Sequence, residues 1–365
     1  MAQETTTTQK VHNFSAGPGI LPQEVLAGAS EACLNFDGMN LSLLEISHRS
    51  KNFERVMEEA RATVKELLFL NDDYEVLFLG GGASLQFAMV PYNLLRSEGT
   101  AGYLKTGVWA AKACKEAALI GNVKILASSE DKNYNYIPKT YGISSDLDYF
   151  HLTSNNTIFG TQIKKFPVSR VPIVCDMSSD IFSRKVDGKQ FGLIYAGAQK
   201  NMGPAGSTMV AVNKNLLGKT GRKLLSMLDY QVHIKGGSMF NTPPVFPVYV
   251  SLLTMKWLKQ KGGLDWIEDL NRQKSGLLYQ EIDRNSMFVG TAEKEDRSTM
   301  NVTFVMNKPE LEPEFDKMWK EAGISGLRGH RDVGGYRASL YNALPLESVE
   351  VLVAVMKQFE EKFGK

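Results

Sequence analysis

The chain has only three cysteines, Cys33, Cys114 and Cys175, among 365 residues. The number is odd, none lie close together, and none pairs with histidine at metal-ligand spacing. Neither a disulfide framework nor a zinc site is expected, and a reducing, cytoplasmic setting is. No apolar run approaches the roughly 20 residues that a membrane span needs. Residues 1–10 are polar and Thr-rich, the opposite of a secretory leader, and read as a frayed tail. Charge of one sign is also lacking: 42 Lys and Arg against 40 Asp and Glu leave +2. Nothing general therefore draws the chain to nucleic acid or to a membrane surface. Internal repeats, a Gly-Lys-Ser/Thr phosphate loop and a Gly-x-Gly-x-x-Gly dinucleotide fingerprint are missing as well.

What is present is a soluble-enzyme composition, 43% hydrophobic and 22% charged, at a length that suggests two domains. Short apolar runs alternate with amphipathic segments through the front two-thirds. Strands are expected at 74–79, 101–104, 123–127, 149–152, 171–176, 193–196 and 208–212, with helices at 83–95 and 108–120. That alternation predicts an α/β fold with a mostly parallel central sheet covered on both faces. A helix over 248–261 ends at Gly262-Gly263, and the domain boundary is placed there. This divides a large domain, 20–260, from a smaller α+β domain, 261–365. The second unit is expected to hold helices at 265–282, 314–322 and 346–363 and strands at 301–306 and 336–341. Residues 13–19 read as an irregular Gly/Pro-punctuated turn of the kind that often borders a site.

Chemistry concentrates at strand ends, where ligands bind in open parallel sheets. Asp176 closes one apolar run. Lys200 follows another within Tyr195-Ala196-Gly197-Ala198-Gln199-Lys200-Asn201, 200 − 176 = 24 positions later. A lysine among Ala and Gly is poorly hydrated, so its pKa falls, and a neutral amine forms a Schiff base with an aldehyde. An aspartate on the neighbouring strand end suits a protonated pyridinium nitrogen of pyridoxal phosphate (PLP). Gly80-Gly81-Gly82-Ala83-Ser84 joins a strand to a helix and offers backbone N–H groups to a phosphate. Trp109 opens a helix and can stack on a flat ring. Two His-Arg pairs, His48-Arg49 and His330-Arg331, sit in expected loops and suit a dianion, while Arg337 in a strand suits a carboxylate. Each feature alone also fits a plainer role. Lys200 reads equally as a surface lysine, the glycines as a tight turn, Trp109 as core, Asn241-Thr242 as a helix cap before Pro243-Pro244, and the arginines as solvated charge.

Six segments in order carry a more specific signal: Asn-Phe-Ser-Ala-Gly-Pro at 13–18, Glu-Ile-Ser-His-Arg at 45–49, Gly-Gly-Gly-Ala-Ser-Leu-Gln-Phe at 80–87, Tyr-Ala-Gly-Ala-Gln-Lys-Asn at 195–201, Gly-Ser-Met-Phe-Asn-Thr-Pro-Pro at 237–244, and Gly-His-Arg followed by Gly-Gly-Tyr-Arg-Ala-Ser at 329–339. By these the chain resembles the phosphoserine aminotransferase family, class-V PLP enzymes of fold type I, from about Asn13 onward. The resemblance implies a Schiff base at Lys200, Asp176 on the pyridinium nitrogen, Trp109 on the ring and Thr157 near the phenolic oxygen. It places Ala83, Ser84 and Gln199 on the cofactor phosphate, joined by Asn241 and Thr242 from the second subunit of a homodimer. Arg337 would take the substrate α-carboxylate, and His48, Arg49, His330 and Arg331 the substrate phosphate. Ala16 stands where the family has a Ser in contact with the amino acid, and Ala83-Ser84 stands where some members have Gly-Arg.

The resemblance also implies the reaction: amino transfer between L-glutamate and 3-phosphohydroxypyruvate, giving O-phospho-L-serine and 2-oxoglutarate. A phosphorylated hydroxythreonine of vitamin B6 synthesis is a further family substrate. Competing readings are an alanine–glyoxylate aminotransferase, a cysteine desulfurase, which would need a cysteine in a mobile loop, and a non-catalytic PLP- or nucleotide-binding regulator.

Overall fold

A computed structural model describes residues 11–330 and 333–364. Strand β1 (His12–Asn13) and helices α1 (Gln23–Leu34) and α2 (Lys51–Leu67) come first. The α/β layer follows as β2 (Tyr74–Leu79), α3 (Gly82–Leu94), β3 (Thr100–Lys105), α4 (Val108–Ala117), β4 (Asn122–Ser128), β5 (Tyr149–Thr153), β6 (Ile173–Asp176), β7 (Leu193–Gly197) and β8 (Thr208–Asn213). Helices α5 (Tyr230–Lys235), α6 (Val245–Gln260) and α7 (Gly263–Arg284) lead to β9 (Phe288–Gly290), β10 (Asn301–Met306), α8 (Glu312–Glu321), β11 (Ile324–Ser325), β12 (Tyr336–Ser339) and α9 (Leu346–Phe363). Residues 1–10, Arg331 and Asp332 lie outside the described residues. No described helix is long and apolar enough to cross a membrane.

Seven strands form one sheet in the order β2-β8-β7-β6-β5-β3-β4. Only β8 runs against its neighbours, so the sheet is mostly parallel, as the alternating pattern predicts. Successive side chains point to opposite faces, and both faces are apolar. Phe150, Leu152, Cys175 and Ile194 pack beneath α2 and α6, whereas Tyr149, Val174 and Tyr195 pack with Phe87 and Ala113 of α3 and α4. β6 and β7 are buried along their whole length, which is why they read as continuous apolar runs. Helix α2 buries Phe53, Val56, Met57, Ala60, Val64 and Leu67 at helical spacing, and Ser50 caps it by accepting from the Phe53 N–H.

The second unit packs α7, α8 and α9 against the antiparallel sheet β12-β10-β9 around Phe288, Phe304, Phe315 and Phe359. β1 pairs in parallel with β11, so the chain's first strand sits with this unit. Helix α7 serves both cores: Leu264 and Ile267 belong to the large one, Leu278 and Ile282 to the small one.

Several boundaries differ from the sequence expectation for local reasons. The helix expected from Val248 starts at Val245, because Pro247 falls in the first turn, where no N–H is needed. The strand expected from Val171 starts at Ile173, since Pro172 has no N–H for the ladder. The helix expected to Ile120 stops at Ala117, and Leu119 is 78% exposed. The strand expected to Tyr341 stops at Ser339, where the chain turns towards the large unit.

The connection from β3 through α4 to β4 runs outward, and the chain then returns to lay β5 on the other side of β3. That reversal is a topological switch point, the usual crevice for a ligand. The turn after β3 must be tight there. A Cβ on Gly107 would come within 2.5 Å of the Asn156 amide, which donates to the Thr106 carbonyl at 2.6 Å. Gly107→Ala should therefore destabilise the protein by about 1–3 kcal/mol through overpacking. A lower urea midpoint checks this; an unchanged midpoint would show that Asn156 yields freely.

Candidate active site

The carboxyl ends of β5, β6 and β7 converge on a cavity of about 120 Å3 lined by Gly82, Ala83, Ser84, Phe87, Trp109, Thr153, Asn155, Thr157, Asp176, Ser178, Ser179, Gln199 and Lys200. Asp176 ends β6 and is 5% exposed. Its Oδ1 accepts from the Ser178 N–H at 2.9 Å and from the Ser178 hydroxyl at 2.6 Å. The Gly197 N–H at the end of β7 in turn donates to Ser178 Oγ at 3.1 Å. Burial raises the Asp176 pKa, while the Ser178 bonds and Lys200 pull it down. Both bonds fall on Oδ1, so Oδ2 remains for a partner in the cavity.

Lys200 lies in the turn after β7. Its Nζ donates to Thr157 Oγ1 at 2.8 Å and sits 5.7 Å from the centre of the Trp109 ring. Burial brings its ammonium down from 10.5 to about 8; Arg337 adds repulsion and Asp176 opposes both. A lysine so placed is partly neutral near pH 8 and nucleophilic. Arg337 projects from β12 of the other unit. Its Nη1 donates to the Thr157 carbonyl at 3.3 Å, its Nε is buried without a partner, and burial lowers its pKa. A partly desolvated guanidinium with free donors suits a carboxylate.

Helix α3 begins at this cavity. Gly81 caps it with φ +86, a left-handed conformation that favours glycine, and no side chain caps its first N–H groups. No acidic residue lies in its first turn. These donors, with Ser84 and Gln199 on the same lining, suit a phosphate dianion. The residues therefore fit PLP: an amine for the aldehyde, a carboxylate for the ring nitrogen, a hydroxyl, a stacking indole and a helix N-terminus. Trp109 Nε1 and Thr153 Oγ1 are also buried without partners, an unmet polarity that a bound polar group would answer.

The remaining expected residues are placed elsewhere or further out. Ala16 lies beside this region: its carbonyl accepts from Tyr341 Oη at 2.6 Å, and a Cβ on the next residue, Gly17, would fall 3.2 Å from Lys200 Cγ. Asn241 and Thr242 are exposed and line a separate cavity of about 430 Å3 with Gly80 and Gly81. Neither caps α6, whose N-cap is Pro244. His48 and Arg49 lie in the turn before α2; Arg49 is exposed and His48 Nε2 is buried without a partner. His330 closes a turn through its carbonyl, which accepts from the Val333 and Gly334 N–H groups at 2.9 Å. A larger cavity of about 750 Å3 lies between residues 137–145 and 163–171; among its lining, Lys139 pairs with Asp296, and Lys164, which burial brings down to about 8, donates to Gln162 Oε1 at 2.8 Å. Ser178, Ser179, Thr153 and Asn155 were not singled out in the sequence. Their signal is a cluster of small hydroxyl and amide residues directly after strand ends that carry chemistry.

The Aminotransferase class-V family profile matches residues 11–352. The phosphoserine aminotransferase of Flavobacterium psychrophilum is 64% identical, over 97% of this chain and 99% of that protein. Among solved structures, phosphoserine aminotransferase from Bacillus circulans subsp. alkalophilus is 45% identical with a TM-score of 0.94, covering 97% of this chain and 99% of that one. PLP-bound phosphoserine aminotransferase from Trichomonas vaginalis is 34% identical with a TM-score of 0.91, covering 95% and 100%.

The titration of Lys200 can be read without any cofactor. Only the neutral amine attacks an electrophile, and its fraction rises with pH, so a lowered pKa moves the plateau of reactivity to lower pH. Acylation of the apoprotein, followed by peptide mapping, should give Lys200 a half-maximal rate near pH 8. A Lys200 rate still climbing at the ordinary lysine value of 10.5 would contradict the desolvated site.

Proposed function

The chain belongs to the aminotransferase class-V family, and from that premise we propose that it is a phosphoserine aminotransferase. It moves an amino group reversibly from L-glutamate to 3-phosphohydroxypyruvate, giving O-phospho-L-serine and 2-oxoglutarate. The observation that carries this reading is the desolvated Lys200 amine with Thr157, Trp109 and Asp176 in one cavity, and Arg337 of the other unit bonded to the Thr157 carbonyl.

PLP, when bound, supplies an aldehyde for the amine and an electron sink for the electrons at the substrate α-carbon. The protein supplies position and proton control. The first N–H groups of α3, with Ser84 and Gln199, hold the phosphate. Trp109 covers one face of the ring and keeps water off it. Asp176, fixed through Oδ1 by Ser178, would hold the ring nitrogen through its carboxylate and favour a proton there. Thr157 orients the Lys200 amine at 2.8 Å and would reach the phenolic oxygen of the cofactor. Arg337 holds the substrate α-carboxylate, which fixes the α-carbon against Lys200. Lys200 Nζ, near its pKa at neutral to mildly alkaline pH, takes the α-proton as base and returns one as acid. Two half-reactions at one site imply ping-pong kinetics.

The same site must accept a γ-carboxylate and a phosphate in turn. Arginine and histidine suit both, and His48, Arg49, His330 and Arg331 are assigned to that end. In one chain His48, Arg49, Asn241 and Thr242 do not line the Lys200 cavity. We therefore assign a homodimer in which Asn241 and Thr242 complete the partner's cofactor phosphate site. A desulfurase reading is disfavoured: Cys33 and Cys114 lie in α1 and α4, and Cys175 is buried in β6.

Purified protein loaded with PLP should absorb as a yellow Schiff base that bleaches on addition of glutamate. Lys200→Ala should abolish borohydride trapping of PLP and lower turnover by about 10^2–10^4-fold, the range for loss of a positioned acid–base group. A protein that stays colourless with added PLP would sink the proposal. Arg337→Ala should raise KM for glutamate by roughly tenfold or more, the loss of a charge-assisted contact, while PLP binding stays unchanged.

A further inference from the structure

We propose that Asn342 is a positioning residue that holds the segment carrying Arg337 in place against the turn carrying Lys200. This inference rests on the assignment of Arg337 to the substrate carboxylate. Asn342 follows β12 in the small unit and is 4% exposed. Its N–H donates to Asn201 Oδ1 at 2.8 Å, and Asn201 is the residue directly after Lys200. Its Nδ2 donates to the Phe182 carbonyl at 2.9 Å, and its Oδ1 accepts from Asn271 Nδ2 at 2.9 Å. Asn271 Nδ2 also donates to the Ser183 carbonyl at 3.1 Å, and Asn201 Nδ2 to the Ile181 carbonyl at 2.6 Å. Phe182 has φ 56, a left-handed conformation that a bulky residue keeps only where its surroundings hold it.

The junction is polar, buried and directional. Its amides are buried from solvent, so their bonds set one relative position where apolar contacts alone would tolerate sliding. The segment around Asn342 is stiffened from its own side. Lys274, 0% exposed, donates to the carbonyls of Leu340 and Tyr341 at 3.0 Å and of Leu344 at 3.1 Å. Tyr341 Oη donates to the Ala16 carbonyl, which ties the same turn to the segment beside Lys200. Arg337 then meets Thr157 by backbone carbonyl, and Thr157 meets Lys200 by hydroxyl. A shift of the β12 end therefore moves the carboxylate anchor relative to the amine that handles the α-proton.

The test uses the PLP-loaded enzyme. Titration with succinate, a dicarboxylate without an amino group, reads carboxylate binding apart from the amino-group chemistry; steady-state kinetics with glutamate reads KM and kcat. Asn342→Ala keeps the N–H to Asn201 and loses the other two bonds. It should raise the succinate Kd and the glutamate KM about tenfold, with kcat changed by less than about threefold and PLP affinity unchanged. A folded variant with wild-type succinate Kd overturns the proposal, as does a fall in kcat with KM intact. Should Asn342→Ala not fold, Asn271→Ala decides by the same two constants. Wild-type protein that binds succinate but never turns over glutamate would refute the aminotransferase reading, while the succinate constants of the variants still decide the role of Asn342.

Discussion

A carboxylate taken out of water needs donors or it takes up a proton, and Asp176 meets that constraint in a way that organises much of its surroundings. Its Oδ1 is held twice by Ser178, and Ser178 is held by the Gly197 N–H. That chain of bonds follows from β6 and β7 running parallel with Asp176 opposite Tyr195, which brings Ser178 beside Gly197. The same parallel order brings the end of β5, with Thr153, alongside Asp176. The sheet is thus the device that lets a carboxylate be buried in the lining of the cavity, with Oδ2 free of the Ser178 bonds.

Lys200 is the counterpart, a cation that burial makes reluctant to stay charged. Asp176 favours its charge and Arg337 disfavours it, and the balance leaves it near 8. The two groups pull each other's titration in opposite senses to burial, so neither can be altered without moving the other. Lys274 is buried more completely and also falls, to about 7. It differs in having three carbonyls around Nζ and in standing outside the lining of the Lys200 cavity. The contrast separates a lysine built for chemistry from one built to tie a turn: one faces open space and a hydroxyl, the other only backbone oxygen.

Much of this was legible in the order of residues. Continuous apolar runs closing on Asp176 and on Gly197, with glycines after Leu79, indicated strand ends and a parallel sheet without any contact information. Helix α2 was equally legible, since Phe53, Val56, Met57, Ala60 and Val64 recur at 3–4 spacing, yet no element was expected between residues 20 and 73. What could not be read was convergence across long separations. Nothing local says that β1 pairs with β11, or that β8 inserts antiparallel between β2 and β7. Nor does local sequence reveal that Asn342 meets Asn201. Ser178 escaped notice because a serine after a strand is ordinary until its neighbour is known to be a buried carboxylate.

The placement of the two His-Arg pairs follows a different logic. A group that must bind a dianion and later release it works best with mobile water nearby and with charges that are not already paired. Arg49 is exposed, and His48 carries a buried nitrogen without a partner, a cost that one chain alone leaves uncompensated. Asn241 and Thr242 are likewise polar, exposed and aimed at no helix end. The cofactor chemistry proposed for this chain is assigned to the buried sheet ends, where position must not vary. Recognition of the substrate's second charge is assigned to loops and to the neighbouring subunit, where one site can adapt to a carboxylate and a phosphate in turn. This division matches the burial of the segments that carry Asp176 and Lys200 and the place of His48 and Arg49 in a turn.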